Sequence, residues 1–441
     1  MSSTPEGLGS SRFVVVAICW LTILFDGYDL TVYGTVLPSL LADKSWNLTP
    51  VEAGAIGSWA LFGMLVGSLV VGTVTDVIGR RRTFLFSVIM FSAMMGVAAL
   101  MPTPVLFGAA RFLAGVGLGG LMPTAMAMTT EFARAGRRDI TLVAMFTGFS
   151  TGGLMAALLG MVVIPEFGWR AMFWIGVLPL VVVVPVVWWL LPESPTFLAS
   201  AGRREDARAV ARRYGLPVPN VPEAIARQRI PLAAMFASGS ARATVSFWLA
   251  SFMGLLLVYG LNTWLPQIMR QSGYSLGSAL SFLLVLNAGA IIGLLIIGAA
   301  SDRFGTKPVA MVAFTCATVS VIGLSTAPSQ ALSYVFVALA GLGSTGTQTL
   351  VSSMITQYYA PQLRAGALGV TLGVGRAGAI SGPLIGGWIV GSALGVTANF
   401  VVFAIAAVLG AAFVAAVPWG HRYRDETEQG TPAAKAAGSL Q

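Results

Sequence analysis

Long apolar runs, separated by short polar breaks, constrain this chain more than any other feature. Windows near residues 13–41, 51–75, 83–101, 105–130, 140–163 and 170–191 are followed by six more near 243–269, 278–300, 308–327, 331–358, 365–390 and 395–418. Each approaches or exceeds the ~20 apolar residues that cross a bilayer as a helix. The chain is therefore expected to be an all-α integral membrane protein with twelve transmembrane helices. Its composition agrees, with 10% charged residues and 56% hydrophobic ones, where a soluble domain is about a quarter charged.

A formal charge of +9 would suit a nucleic-acid binder, but here the basic residues fall in short clusters between spans. There they act as topology signals, because cytoplasmic loops carry the Lys/Arg excess. With both termini inside, Arg80, Arg81, Arg82, Arg134, Arg137, Arg138, Arg303, Lys307, Arg364, Arg422 and Arg424 all lie on the inner side. Lys44, Arg170 and Arg270 fall in the opposite loops. The first twelve residues lack a signal-peptide pattern, so the first span is expected to be retained. Cys19 and Cys316 lie in separate apolar runs, which suggests neither a disulfide framework nor a metal site. The single histidine, His421, is in the C-terminal tail, so a proton path through the membrane must use carboxylates.

Two carboxylates are placed for that. Asp26 and Asp29 lie in Phe25-Asp-Gly-Tyr-Asp-Leu-Thr-Val-Tyr33-Gly34, within an otherwise uncharged first span. A central Asp costs roughly 2.5 to 3.5 kcal/mol on insertion scales, and is tolerated where it faces a bundle interior, a cavity or a partner. At i and i+3 the two share a helix face, so ionising one hinders ionising the other and a proton can come and go. The alternative is an ion pair that holds helices in register. Arg111, inside the fourth span, needs an anionic partner. Asp26 or Asp29 is available, unless the partner is a substrate.

The chain also repeats. Gly72-Thr-Val-Thr-Asp76-Val-Ile-Gly79-Arg80 follows the second span, and Gly298-Ala-Ala-Ser-Asp302-Arg-Phe-Gly305 follows the eighth. The two aspartates are about half the chain apart, as in a duplication whose halves are parallel repeats around a central path. On these motifs the chain resembles the major facilitator superfamily of secondary transporters. That implies two six-helix bundles, 13–191 and 243–418, joined by a cytoplasmic linker over 192–242 and followed by a polar tail over 419–441. Gly72, Asp76, Gly79, Arg80, Asp302 and Gly305 are the expected gating residues, locking the inner side in one state and releasing it in the other. Within the linker, Glu205 to Tyr214 reads as a short helix, solvated or lying on the membrane surface. Arg111-Phe-Leu-Ala-Gly115-Val-Gly117-Leu-Gly119-Gly120 is similar to the superfamily's fourth-helix motif. Glu131 at its end is expected to pair with Arg134 or Arg138. Gly148, Gly152, Gly153 and Gly160 read as helix packing. Pro192-Glu193-Ser194-Pro195 resembles the P-E-S-P motif and terminates a helix.

Three further stretches narrow the branch. Asp26-Gly-Tyr-Asp29 resembles the D-G-x-D signature of the aromatic acid:proton symporters. Tyr259-Gly-Leu-Asn262-Thr-Trp264-Leu-Pro266 is similar to that family's W-L-P stretch, and Arg376 to its eleventh-helix arginine. The resemblance implies import of a benzoate- or hydroxybenzoate-type acid with protons, through a monomer in a bacterial inner membrane, without a cofactor. An aromatic carboxylate needs a cation, an apolar wall for its ring and a few polar groups. Arg376 is the candidate cation, Tyr33, Tyr259 and Trp264 the candidate wall, and Asn262, Asn287 and Gln348 the candidate polar groups. Each aromatic has core or lipid packing as its alternative role. Competing functions are a proton symporter for another organic anion or metabolite, and a drug exporter. An enzyme is disfavoured, since no metal cluster, nucleophile–base pair or cofactor motif is seen in the sequence.

Overall fold

The computed structural model describes residues 6–134, 136–217, 235–236, 240–326, 329–392 and 394–418. The tail at 419–441, with His421, and linker residues 218–234 and 237–239 lie outside the described residues. The described chain forms α1 (Glu6–Ala42), α2 (Pro50–Ile78), α3 (Arg80–Leu100), α4 (Pro104–Phe132), α5 (Arg138–Phe167), α6 (Trp169–Ile175) and α7 (Leu178–Leu190). The linker holds α8 (Pro195–Ser200) and α9 (Arg204–Arg213). Then come α10 (Ala241–Gln271), α11 (Leu276–Phe304), α12 (Thr306–Ser325), α13 (Gln330–Tyr358), α14 (Pro361–Val390) and α15 (Val396–Ala416).

Among the described residues, twelve spans are long and apolar enough to cross a membrane, and α6 with α7 make up one of them, Trp169–Leu190. That span breaks at Gly176 and Val177, where Pro179 in the first turn of α7 has no N–H to extend the helix before it. Trp188, Trp189 and Trp388 are exposed, as interface-belt residues should be. At the end away from the basic loops, side-chain hydroxyls of Thr49, Thr103, Ser275 and Ser329 cap α2, α4, α11 and α13. Helices starting at the basic-loop end lack such local caps on α3, α5, α12 and α14.

The duplication is visible in the packing. The pairings α2 with α4, α3 with α4 and α1 with α5 recur as α11 with α13, α12 with α13 and α10 with α14. Glycines set these contacts. Gly63 and Gly67 lie against the backbone of Phe112 and Val116, as Gly289 and Gly293 do against Ala338 and Leu342. Likewise Gly115 meets Ala60 and Gly341 meets Leu286. Every one of these pairs is separated by the interval between Asp76 and Asp302. In lipid, where apolar burial does not drive helices together, close backbone approach through small residues does. A Cβ on Gly289 would collide with the Ala338 carbonyl oxygen, whereas one on Gly366 meets nothing within 4 Å. Gly289→Ala is therefore expected to cost about 1 to 3 kcal/mol, seen as a lower melting temperature in detergent, with Gly366→Ala unchanged. Equal melting of the two variants would refute this packing role.

The halves meet through α2 with α14, α5 with α11 and α1 with α10. Those contacts gather at the end away from the basic loops: Gly54 and Gly57 on Pro383, Gly387 on Pro50, Gly160 on Leu280, and the Ser58 hydroxyl donating to the Ile380 carbonyl at 2.7 Å. Toward the basic-loop end, a Cβ on Gly298 of α11 or on Gly366, Gly369 or Gly373 of α14 would meet nothing within 4 Å. The contacts that close the path between the halves thus lie at the end away from the basic loops.

The linker helix α9 differs from the expected solvated or membrane-lying helix. Its apolar face is buried through Ala207 and Ala211, and Tyr214 packs edge-on against Phe132 of α4 with ring centroids 5.1 Å apart. Arg12 of α1 donates to the Tyr214 carbonyl at 2.5 Å, at the negative end of the α9 dipole.

Candidate functional site

Asp26 and Asp29 are carried to the centre of the bundle by α1, which lies against α5 where Gly27 meets Phe149 and against α10 where Gly34 meets Asn262. Both carboxylates are buried, at 0% and 1% exposure. Their surroundings differ sharply. Asp29 Oδ1 accepts from Arg111 Nη1 of α4 at 2.7 Å, and the same nitrogen reaches the Asp29 carbonyl at 3.1 Å. The Arg111 guanidinium lies 5.9 Å from the ring centroids of both Tyr33 and Phe173. This decides between the two candidate partners: Arg111 pairs with Asp29. Asp26, one helical turn away, has no hydrogen-bond partner on either oxygen among the described residues. An ionised carboxylate in such a place costs several kcal/mol, so its charge has to be balanced by a proton or by a nearby cation.

The cation whose field reaches Asp26 from the other half is Arg376. Its field reaches both Asp26 and Tyr259, although it makes no ion pair within 4 Å among the described residues. The neighbouring glycines explain how it gets there. Gly375 and Gly378 of α14 lie against Ser251 and Phe252 of α10, which holds the half-buried Arg376 at the α10–α14 contact.

The polar candidates fall into two separate groups along α10. Asn287 Nδ2 of α11 donates to Asn262 Oδ1 of α10 at 3.2 Å, and Asn262 Nδ2 donates to the Val258 carbonyl at 2.8 Å. Gly153 of α5 leaves room for Asn287 beside Thr31 of α1. Gln348 Nε2 of α13 donates to Ser251 Oγ at 3.0 Å, next to Gly375. Thr31 therefore joins the Asn262–Asn287 group, and Ser251 joins Gln348 about three turns away along α10; no motif marked either in the sequence.

Two aromatic candidates are engaged elsewhere in this conformation. The Tyr33 hydroxyl donates to the Ala53 carbonyl at 2.6 Å, and Trp264 Nε1 donates to the Pro383 carbonyl at 2.8 Å. Both rings are buried at the closed end, with Trp264 filling the notch left by Gly386. Tyr259, half-buried, faces the Asp26 side.

At the basic-loop end the first repeat builds a charged junction. Arg80 pairs with Glu131, whose other oxygen accepts from Ser194 Oγ at 2.6 Å. The expected pairing of Glu131 with Arg134 or Arg138 is not what forms, because the end of α4 lies beside the α2–α3 turn and presents Glu131 to Arg80. Glu193 Oε1 accepts from the backbone amides of Arg80 and Arg81 at 2.9 and 3.0 Å. It thereby caps α3 from the linker, so Pro192-Glu193-Ser194-Pro195 does more than end a helix. Gly79 turns this corner at φ 97°, which L side chains rarely adopt. Gly305, at φ 87°, turns the equivalent corner. There Gln357 Nε2 donates to Thr306 Oγ1 at 2.9 Å, at the positions corresponding to Glu131 and Arg80, so the second repeat replaces an ion pair with a neutral bond. Asp302 is exposed and makes no ion pair among the described residues. Gly72 and Asp76 lie in the last turns of α2, with the Asp76 side chain outside the described residues.

Known proteins share this sequence and fold. The family model described as Major Facilitator Superfamily matches residues 19–324 and 281–440. A gentisate transporter of Corynebacterium glutamicum is 38% identical over 92% of this chain and 88% of its own length. A benzoate transport protein of Acinetobacter baylyi is 36% identical over 90% of this chain and 87% of its own. The xylose transporter XylE of E. coli, solved in a partially occluded inward open conformation, superposes with a TM-score of 0.75 at 18% identity, covering 92% of this chain and 97% of XylE.

Proposed function

The chain belongs to the major facilitator superfamily of membrane transporters, and on that premise we propose that it imports a monocyclic aromatic acid together with protons. The observation that carries the coupling is the unpartnered, enclosed Asp26 within the field of Arg376. A proton on Asp26 removes the charge that Arg376 otherwise balances. The guanidinium is then free for a substrate carboxylate, so acid and proton enter together. Asp29 and Arg111 neutralise each other beside this centre. Tyr259 offers the ring an apolar face, and Asn262, Asn287 and Gln348 offer polar contacts. The names of the gentisate and benzoate relatives support the substrate class. Alternation opens and closes the two ends, with Gly79, Arg80, Gly305 and the loop aspartates Asp76 and Asp302 at the moving corners. The transporter works as a monomer in a bacterial inner membrane. The Lys/Arg excess in the basic loops supports a cytoplasmic location for both termini, with the closed end facing outward.

Proteoliposomes with an imposed pH gradient test this reading. Gentisate and benzoate are expected to accumulate, and a protonophore to abolish the accumulation, while xylose stays at equilibrium. Accumulation that ignores the protonophore would sink proton coupling, and accumulation of xylose but neither acid would sink the substrate class.

A further inference from the structure

Away from the central path, a cleft of 710 Å³ opens at the basic-loop end between the tips of α2, α3 and α7 and the linker helices α8 and α9. Its size is within the range of roughly 300–1,000 Å³ typical of small-molecule sites. Val77, Ile78, Trp188 and Phe197 give it apolar walls, and Arg81 and Arg82 enter it from the first turn of α3. The two acids that line it are already engaged. Glu193 caps α3, and Asp206 pairs with Arg203 at 2.8 Å. Three arginines face two carboxylates, so the lining stays net positive, and neither Arg81 nor Arg82 is in an ion pair within 4 Å among the described residues. Arg81 donates through Nη2 to the Trp188 carbonyl, and its buried Nε has no partner among the described residues. Arg82 is exposed and makes no ion pair within 4 Å among the described residues.

Depth decides the class of ligand. The cleft lies where three spans end, and opposite the exposed Arg203–Asp206 pair one side of its rim is apolar, with Val77 78% and Trp188 61% exposed. A free anion would satisfy the arginines and leave that rim bare. A membrane lipid satisfies both, because basic pockets between spans on the cytoplasmic side match anionic headgroups. We propose that this cleft binds an anionic phospholipid, with its phosphate on Arg81 and Arg82 and its acyl chains along Val77, Ile78 and Trp188.

Native mass spectrometry of the full-length protein in detergent, titrated with phosphatidylglycerol or phosphatidylcholine, tests it. Phosphatidylglycerol is expected to be retained over phosphatidylcholine. The double variant Arg81→Gln/Arg82→Gln should weaken that retention by roughly tenfold or more, and Arg303→Gln, a basic residue at the same end but outside the cleft, should not. Should the double variant fail to fold, Arg82→Gln alone changes an exposed side chain and is expected to weaken retention roughly fivefold. Equal retention of the two lipids, or an equal loss in Arg303→Gln, would overturn the site as diffuse attraction. Displacement of the lipid by inorganic phosphate at matched concentration would overturn the lipid as its occupant.

Discussion

Asp26→Asn is expected to abolish uphill accumulation under a pH gradient while leaving the protein folded and substrate counterflow intact. The amide copies the neutral carboxyl in size but cannot give up a proton. Arg376 then stays free for substrate at every pH, so acid binding should lose its pH dependence. Asp29→Asn is expected to behave differently, because the structure gives Asp29 a partner. Removing that charge leaves Arg111, 1% exposed, without its counter-ion. Breaking a buried pair on one side typically costs about 3 to 5 kcal/mol, whereas replacing both partners with apolar residues is often neutral. A lower folded yield is expected for Asp29→Asn, with recovery in Asp29→Leu/Arg111→Met. Flux assays and size-exclusion profiles read the two outcomes separately. Normal pH-driven accumulation by Asp26→Asn would end its role as proton carrier.

The contrast between these two aspartates marks where the sequence stops being informative. The spans could be read because lipid demands long apolar helices, and the duplication because Gly-x-x-x-Asp-x-x-Gly recurs at equivalent span ends. Asp26 and Asp29, however, share one face of α1, and which of them meets Arg111 depends on how α1 lies against α4. Glu131 illustrates the same limit. Arg134 and Arg138 are its neighbours in sequence, but Arg80 is its neighbour in space, brought there by the tight turn at Gly79. Trp264 stands in a motif that suits a ring wall, yet Gly386 and the Pro383 carbonyl hold it at the closed end. One signal was present and unused. The interval between Asp76 and Asp302 maps Arg80 and Glu131 onto Thr306 and Gln357, and would have exposed the charged junction of one repeat and its neutral copy in the other.

Arg376→Lys is expected to weaken binding of an aromatic acid by roughly thirtyfold or more, from the ~2 to 5 kcal/mol typical of losing one partner of a buried charged contact. The substitution keeps the positive charge but not the planar fork, which grips a carboxylate through two parallel hydrogen bonds. Two arginines lie within the spans near the bundle centre, and their surroundings differ. Arg111 is enclosed and bound to Asp29, while Arg376 is half-buried and makes no ion pair among the described residues. Its field reaches Asp26, whose protonation is proposed to release it, and Tyr259, the proposed ring contact. A neutral amide analogue of the same acid has no second oxygen for the fork, so its weaker binding should change little in Arg376→Lys. Measuring acid and amide against wild type and variant separates reading the carboxylate from holding the fold. An equal loss for both ligands would assign Arg376 to packing of α14 on α10, and a loss confined to the acid would assign it to recognition.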